Sequence, residues 1–376
     1  MGYTETKKSG ERTVTKALVI DLRDEGAYAY GKIGDAVNIP YRDFSQHKGE
    51  LPKDRQILLY CQTGETSKAL ASSLKEEGYD VSYLEGGYVR HVIDSPWQGT
   101  LERVETSIRK KFHKELWTKF AKAVTEYRLV QEGDKIAVCI SGGKDSMLMA
   151  KLFQELKRHD KFPFELNFLV MDPGYSKENR KIIEKNCELL EIPAEIFRSD
   201  IFESVFTVEK SPCYLCARMR RGTLYAKAQA LGCNKIALGH HYDDVIETIL
   251  MGMLYGGQVQ TMMPKLYSTN FQGMQLIRPM YLVREEDICR WRDDNDLHFI
   301  QCACKFTEAA AADLKKQESS SKRLEIKNLI KHLKQINPQV ENNIFKSVQN
   351  VNLSTIIAYK DREGVHHFLD HYEEEL

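Results

Sequence analysis

Four cysteines in the second half of the chain stand at spacings that suit metal binding. Cys213 and Cys216 form a C-x-x-C pair, and Cys302 and Cys304 form a C-x-C pair further along. Four thiolates could hold a structural zinc ion, and three could hold a 4Fe–4S cluster with one open iron. A C-x-C pair is an unusual spacing for a zinc site. The interpretation as a redox disulfide has even less support, because the C-x-x-C does not follow the first strand of a βαβ unit. Spacing alone leaves zinc and the cluster as alternatives.

A glycine turn in the middle of the chain has the features of a phosphate-binding loop. The segment C-I-S-G-G-K-D-S places two glycines after an apolar strand and opens a helix. Glycines let the backbone approach a phosphate, and a helix N-terminus favours an anion. The spacing is not that of a Walker A loop, and a glycine pair alone would also suit an ordinary tight turn. We predict phosphate binding by these residues: Ser141, Gly142, Gly143, Lys144, Asp145 and Ser146.

A second polar cluster follows a later strand. His240, His241, Asp243 and Asp244 come where the apolar segment K-I-A-L-G ends and a helix begins. The aspartate pair could simply cap that helix. Beside a nucleotide loop, the same carboxylates are also well placed to bind Mg²⁺ on the phosphates. We therefore predict that His240, Asp243 and Asp244 belong to the nucleotide site, with capping as the structural alternative.

One cysteine in the first hundred residues has the surroundings of a nucleophile. Cys61 ends the apolar segment Q-I-L-L-Y-C, and the glycine-containing loop after it runs into a helix near Ser67. The N–H groups of such a loop and the helix dipole favour a thiolate. For an isolated cysteine after a strand, core packing would be the default. Core packing is what we predict for Cys139, Cys187, Cys233 and Cys289.

The composition indicates a soluble protein of more than one domain in a reducing compartment. The 376 residues are 42% hydrophobic and 29% charged, and no apolar run approaches the roughly 20 residues of a membrane span. Fifty-four basic residues balance 54 acidic ones, so any nucleic-acid surface must be local. Nine cysteines without a secretory signal favour a cytoplasmic protein rather than a disulfide framework.

Short apolar segments alternate with helical patterns, which predicts an α/β fold in both halves. The strands of a small parallel sheet are predicted at 17–23, 34–40, 56–61 and 81–87. Those of a doubly wound sheet, which binds ligands at its carboxyl edge, are predicted at 135–141, 164–172, 194–200 and 235–241. A long basic amphipathic helix begins near residue 103. The predicted units are a first domain at 1–97, a linker with the basic helix at 98–131, a second domain at 132–350 and a C-terminal extension at 351–376.

The segment S-G-G-K-D-S after a V-C-I strand resembles the pyrophosphate loop of the N-type ATP-pyrophosphatase (PP-loop) superfamily. In order and spacing, C-Y-L-C-A-R-M-R-R-G, K-I-A-L-G-H-H-Y-D-D, M-L-Y-G-G, M-M-P-K-L and I-R-P-M-Y-L-V-R-E-E-D-I further resemble the tRNA-cytidine 2-sulfurtransferases, from about Val104 to Asn352. The resemblance implies that ATP, with Mg²⁺, adenylates the C2 oxygen of a cytidine in the tRNA anticodon loop. Sulfur then displaces AMP.

The same resemblance implies a 4Fe–4S cluster on three cysteines, two from the C-x-x-C and one from the downstream pair. Cys213 and Cys216 match the two C-x-x-C ligands of that family directly. The family has two residues between its downstream cysteines, whereas this chain has one. Counting from the shared Arg278-Pro279 favours Cys304 as the third ligand, with Cys302 as the alternative.

The first domain resembles a rhodanese. V-I-D-L-R, G-K-I-G-D-A-V-N-I-P and L-E-G-G-Y match the pattern of that family, whose loop cysteine carries a persulfide. The resemblance therefore implies a persulfide on Cys61. Glu65 and Thr66 stand where many active rhodaneses have a basic residue. The resemblance therefore does not specify which molecule accepts the sulfur from Cys61. A catalytically inactive rhodanese fold is the alternative.

Together these resemblances imply a two-domain tRNA sulfurtransferase. An upstream donor such as a cysteine desulfurase would load Cys61, and catalytic roles are expected for Cys61, Asp145, Cys213 and Cys216. Candidates for contact with RNA phosphates are Arg109, Lys110, Lys111, Lys114, Lys119, Arg218, Arg220 and Arg221. We expect no membrane partner, and the chain could form a homodimer. The alternatives are thiolation of another nucleoside or a small molecule, and a non-catalytic zinc-stapled tRNA-binding or sulfur-carrier module.

Overall fold

The first domain is built on a four-stranded parallel sheet. A computed structural model of the chain describes residues 17–95, 97, 99–199, 201, 212–300, 318–370 and 372. The strands are β1 (Leu18–Asp21), β2 (Val37–Asn38), β3 (Ile57–Tyr60) and β4 (Val81–Tyr83), in the order β2-β1-β3-β4. The helices are α1 (Glu25–Tyr30), α2 (Phe44–His47), α3 (Glu65–Glu76) and α4 (Gly87–Asp94). The predicted strand at 34–40 shortens to β2, because residues 34–35 form a turn and Pro40 cannot donate a ladder hydrogen bond.

The region between the domains is helical but interrupted. It comprises α5 (Leu101–Arg109), a π-helical turn (His113–Trp117) and α6 (Thr118–Glu126). The prediction of one long basic helix is therefore wrong in this detail. The Phe112 N–H donates to the carbonyl of Ser107, five residues back, at 2.8 Å. This widened turn lets both Phe112 and Leu116 point into the core, where they are fully buried.

The second domain has a six-stranded sheet. Its strands are β5 (Lys135–Ile140), β6 (Glu165–Asp172), β7 (Ala194–Arg198), β8 (Lys235–Ala237), β9 (Lys265–Tyr267) and β10 (Gln275–Ile277). The order is β7-β6-β5-β8-β10-β9, and each neighbouring pair is parallel except β9 with β10. The prediction of a doubly wound parallel sheet is confirmed. The strand order reverses between β5 and β8, which opens a crevice at their carboxyl ends.

Helices cover this sheet and extend beyond it. They are α7 (Lys144–Arg158), α8 (Lys177–Leu189), α9 (Pro212–Ala230), α10 (Tyr242–Gly256), α11 (Glu285–Asp294), α12 (Glu318–Ile336) and α13 (Val340–Ser347). The C-terminal extension contains a hairpin of β11 (Ala358–Lys360) and β12 (Val365–His367). Within the described ranges, no helix has the length and apolar character that crossing a bilayer requires.

The two domains are docked on one another. Tyr88 and Val92 of α4 belong to the same buried cluster as the core of the second domain. The Lys185 ammonium of α8 donates to the carbonyls of Val92, Ile93 and Ser95 at 3.2, 3.0 and 2.9 Å. A cation at the end of α4 complements the free carbonyls and the dipole of that helix. The interface therefore combines apolar packing with directed hydrogen bonds.

Candidate nucleotide and sulfur-transfer site

The predicted phosphate loop is a tight turn between β5 and α7. Gly142 has a φ of +87°, and a Cβ there would lie 2.6 Å from Ile183, so both conformation and space favour glycine. The Ser146 hydroxyl accepts a hydrogen bond from the Ser141 N–H at 3.1 Å and donates one to the Gly143 carbonyl at 3.0 Å. The loop is thereby fixed to the first turn of α7, whose leading N–H groups have no partner within the helix.

Lys144 is a buried cation at the start of α7. Its Nζ donates to Asp145 Oδ1 at 2.9 Å and to Glu285 Oε1 at 3.2 Å. Burial lowers the pKa of Lys144, but Asp145, Tyr30 and Glu285 outweigh that effect and raise it overall. Burial also raises the pKa of Glu285, but Lys144 and Lys327 hold it at about 2. Lys144 is therefore a permanent positive charge beside the loop.

The residues after β8 form a capping box. His241 is the N-cap of α10: its Nδ1 accepts from the Asp244 N–H at 3.4 Å, and the Asp244 carboxylate accepts from the His241 N–H at 3.1 Å. Burial raises the pKa of Asp244, but His241, Arg323 and His240 lower it overall. The His241 Nε2 also lies 3.9 Å from Asp145 Oδ1, so His241 joins this cap to the phosphate loop.

Asp243 is held by hydrogen bonds with residues at the start of α11. Its carboxylate accepts from Arg284 at 2.9 Å and from the Glu285 N–H at 2.7 Å. Arg284 in turn meets Glu341 of α13 at 2.7 Å. Burial lowers the pKa of Arg284, but these two carboxylates raise it overall. Asp243 therefore links α10 to α11 and, through Arg284, to α13.

Two side chains near this cluster have buried nitrogens to which no described residue hydrogen-bonds. They are His240, through Nδ1, and Arg278, through Nε. Burial lowers the pKa of His240 to about 4 and that of Arg278 to about 10. Unsatisfied polar atoms are uncommon in protein interiors, which makes both nitrogens candidates for ligand contact. The sequence predicts a site role for His240, whereas its only signal for Arg278 is the shared R-P motif.

Cys61 lies at the centre of hydrogen-bond donors, as predicted. The N–H groups of Gly64 and Ser67 lie 3.2 and 3.4 Å from its Sγ, and the Ser67 hydroxyl lies at 3.5 Å. α3 begins at Glu65, two residues before the predicted start. A Cβ at Gly87 would lie 2.4 Å from the Cys61 carbonyl oxygen, so the L-E-G-G turn packs tightly on this loop.

The cysteines predicted as core residues behave accordingly. Cys139, Cys187 and Cys233 are buried, and Cys289 is partly buried. Burial raises the pKa of Cys139 and of Cys187 to about 12, so both remain thiols. These positions do not share the donor-rich surroundings of Cys61.

The predicted cluster ligands are only partly within the described structure. Cys213 and Cys216 lie in the first turn of α9, three backbone positions apart. Cys302 and Cys304 lie outside the described residues. Further along α9, Arg220 donates to the Tyr175 hydroxyl at 3.2 Å and Arg218 is exposed. α9 packs on β5 and β8, the strands that flank the crevice.

The predicted RNA-contacting residues of the central helices fall into two groups. Arg109 meets Glu105 at 2.5 Å and Glu155 at 3.1 Å, and Lys111 pairs with Asp294. Their charges are therefore compensated within the protein. The other members are exposed to solvent: Lys110, Lys114 and Lys119.

Two family models and several curated proteins are similar to this chain. Residues 111–304 match the family model described as a PP-loop domain, and residues 5–92 match the one described as a rhodanese-like domain. The tRNA-cytidine(32) 2-sulfurtransferase of Shewanella amazonensis is 33% identical over 259 residues, or 67% of this chain and 77% of that protein. The protein of the same name from Coxiella burnetii is 32% identical over 254 residues, or 67% of this chain and 95% of that protein.

A solved structure shares the fold. The U34-tRNA thiolase NcsA from Methanococcus maripaludis, described with its [4Fe-4S] cluster, has a TM-score of 0.50 and 22% identity, and the match covers 64% of this chain and 80% of that one. Fold and site thus define a PP-loop protein with an N-terminal rhodanese-like domain. The chain belongs to the tRNA-cytidine(32) 2-sulfurtransferase family.

Proposed function

We propose that this chain is an ATP-dependent tRNA sulfurtransferase that replaces the C2 oxygen of an anticodon-loop cytidine with sulfur. The names of its relatives support the substrate. The observation that carries the proposal is the loop from Ser141 to Ser146, a glycine turn at the start of α7 beside the buried Lys144. Such a turn is suited to the phosphates of ATP, because N–H groups, helix dipole and ammonium all favour an anion.

The roles of the loop residues follow from their contacts. Ser141 and Ser146 fix the turn, and Gly142 and Gly143 let the backbone approach the phosphates. Lys144 would neutralise charge on the pyrophosphate that leaves when the C2 oxygen attacks the α-phosphorus. His240 and Arg278, whose buried nitrogens lack described partners, are proposed to contact the nucleotide or the base.

Asp145 and Asp244 are the proposed ligands of Mg²⁺. Both carboxylates approach the His241 Nε2, at 3.9 and 3.5 Å, and oxygen ligands suit this cation. Bound Mg²⁺ would offset negative charge on the phosphates. Asp243 fits this role less well, because its carboxylate approaches the other ring nitrogen of His241, Nδ1, at 3.8 Å and is held by Arg284 and the Glu285 N–H.

Cys213, Cys216 and one of Cys302 and Cys304 are the proposed ligands of a 4Fe–4S cluster. Thiolate donors suit iron, and the two α9 cysteines lie within one helical turn. A bound cluster with one open iron would hold a sulfide close to the activated base. The proposed route of that sulfur begins on Cys61, loaded as a persulfide by an upstream donor such as a cysteine desulfurase. Two molecules of a thiol reductant then release the outer sulfur as sulfide, become a disulfide and leave Cys61 as a thiol.

The function is tested on full-length protein purified without oxygen. With ATP, Mg²⁺, tRNA and a sulfide donor, 2-thiocytidine should form and be detected by mass spectrometry of digested tRNA. Lys144→Ala should lower the rate about a hundredfold, because it removes a charge that stabilises the transition state. Lys75→Ala is the control, since that side chain is exposed on α3 of the first domain and is not among the predicted RNA contacts. Accumulation of thiouridine without 2-thiocytidine would contradict the proposed substrate.

Metal analysis of the same preparation separates the cluster from zinc. Iron and acid-labile sulfide in near-equal amounts are expected, and both should be lost in a Cys213→Ala variant. Colourless protein with stoichiometric zinc would contradict the cluster and favour a zinc-stapled module.

A further inference from the structure

The first domain places a tyrosine on the phosphate loop of the second. Tyr30 is the last residue of α1, and its hydroxyl accepts a hydrogen bond from the Lys144 backbone N–H at 2.7 Å. A Cβ built on Gly143 would lie 2.6 Å from the same hydroxyl oxygen. The oxygen therefore contacts two consecutive residues of the S-G-G-K-D-S segment.

The Lys144 N–H is one that a phosphate would use. Lys144 is the first residue of α7, and the leading N–H groups of a helix find their acceptors outside the helix. Phosphate oxygens are favoured acceptors at such a terminus. Because the Lys144 N–H points at the Tyr30 hydroxyl, a phosphate oxygen cannot accept a hydrogen bond from this N–H while the tyrosine stays in place.

Several contacts hold Tyr30 in this position. The buried Arg292 of α11 donates to the main-chain carbonyls of Ala29 and Tyr30. Arg23 donates to the Gly31 carbonyl at 2.6 Å. The Lys144 ammonium lies 4.9 Å from the centre of the Tyr30 ring, within the range of a cation–π interaction. The tyrosine is thus anchored from both domains.

We propose that Tyr30 is an autoinhibitory plug: the docked first domain and the phosphates of ATP compete for the Lys144 N–H. ATP binding then requires Tyr30 to leave and favours the undocked first domain. The inference rests on the proposed function, in which this loop binds ATP. By linkage, docking weakens ATP binding by the same factor by which ATP weakens docking.

The plug also connects the loop to the surroundings of Cys61. The Ile33 N–H, three residues after Tyr30, donates to the Tyr60 hydroxyl at 3.1 Å, and Tyr60 directly precedes Cys61. Burial, together with Asp145, raises the pKa of Tyr30 against the lowering effect of Lys144, so the plug is a neutral phenol. Withdrawal of Tyr30 therefore moves the sulfur-carrying domain without a change of protonation.

The test measures ATP affinity of the full-length protein by isothermal titration with a non-hydrolysable ATP analogue and Mg²⁺. Tyr30→Phe should bind about fivefold tighter than wild type, because the docked state loses roughly one hydrogen bond. Tyr28→Phe is the matched control: it lies on the same helix, but its hydroxyl donates to Ala36 within the first domain, at 2.8 Å. Its affinity should equal that of the wild type.

Hydrogen exchange gives a second readout. In the wild type, the analogue should speed amide exchange in residues 25–33 and in α4. Equal affinities for wild type and Tyr30→Phe, with exchange unchanged by the analogue, would overturn the plug. Weaker binding by Tyr30→Phe would overturn it too, since Tyr30 would then assist the nucleotide. If no variant, Tyr30→Ala included, binds the analogue, the proposed nucleotide function itself fails and the plug with it.

Discussion

The Sγ of Cys61 accepts from the N–H groups of Gly64 and Ser67, and it lies 3.5 Å from the Ser67 hydroxyl, which itself donates to the Gly64 carbonyl. Backbone donors that converge on a sulfur are typical of a reactive cysteine. We predict that Cys61→Ala abolishes persulfide formation on the full-length chain, because the buried Cys139, Cys187 and Cys233 and the partly buried Cys289 lack such surroundings. The protein would be incubated with a cysteine desulfurase and cysteine. Intact-mass spectrometry under non-reducing conditions would then report the mass of an added sulfur atom.

Cys187→Ala is the control for this prediction. Cys187 is buried on α8, and burial raises its pKa to about 12, so it remains an unreactive thiol. The control variant should still acquire the persulfide on Cys61. If Cys61→Ala also acquires the extra sulfur, the first domain is not the entry point and the inactive rhodanese alternative gains support.

Residues contributed by contiguous segments could be predicted from the sequence, whereas distant partners could not. Ser141 to Ser146 and Cys61 were predicted because glycine, strand end and helix start are adjacent in the chain. Glu285 contacts Lys144 across 141 residues, and Tyr30 contacts it across 114. Periodicity and local spacing contain no information on such pairs, and the shared R-E-E-D-I motif was the only sequence signal for Glu285.

At the level of strands, a buried ion pair fixes the start of β8. The Lys235 ammonium meets Asp134 at 2.5 Å and the Leu129 carbonyl at 3.0 Å, and both charged side chains are almost fully buried. We predict that Lys235→Met lowers the free energy of unfolding by about 3 kcal/mol, because the Asp134 carboxylate is left buried without a counter-charge. Urea denaturation measures the loss.

The neighbouring strand offers a matched control for the same substitution. Lys135 begins β5, but its ion pair with Glu165 is exposed to solvent. Lys135→Met should cost less than about 1 kcal/mol, as surface pairs do. Equal losses in both variants would contradict the role assigned to the buried pair.

The contact between α4 and the segment after α11 contains a histidine pair. The rings of His91 and His298 lie 6.5 Å apart. Burial lowers the pKa of both histidines. The His298 ring lowers the pKa of His91 further, and Asp296 opposes the lowering in both cases. The unfolded chain therefore binds more protons, so this contribution to stability is full above about pH 6.5 and is lost as the pH falls below it.

We predict that the free energy of unfolding of the full-length protein falls between about pH 6.5 and 5, and that a His91→Gln/His298→Gln variant shows a shallower fall. Urea denaturation at several pH values measures the slopes. His332→Gln, at an exposed position on α12, should retain the wild-type slope. A double variant with an unchanged slope would contradict titration of this pair.

At the scale of the whole molecule, the α/β class of both domains followed from the alternation of strands and helices. The docking of the two domains does not follow from that alternation. It depends on contacts such as Lys185 with the end of α4 and Trp97 Nε1 with the Asn295 carbonyl at 2.9 Å, which join residues far apart in sequence. The segment near 94–102 indicated a linker, but a linker does not specify which faces meet.

The chain has no net charge, so tRNA affinity must depend on local basic surface. Lys114 and Lys119 are exposed on the π-helical turn and α6, whereas Arg109 is paired with Glu105 and Glu155.

We therefore predict that Lys114→Gln/Lys119→Gln reduces the magnitude of the slope of log affinity for tRNA against log salt concentration by about 1.5. The reason is that each lost phosphate contact removes roughly 0.7–0.9 from that slope. Filter binding over a range of salt concentrations measures the slope. Arg109→Gln, which removes a charge already compensated within the protein, should leave the slope unchanged. A double variant with the wild-type slope would place the RNA surface away from these helices. An Arg109→Gln slope reduced as much would contradict the compensation of that charge by Glu105 and Glu155.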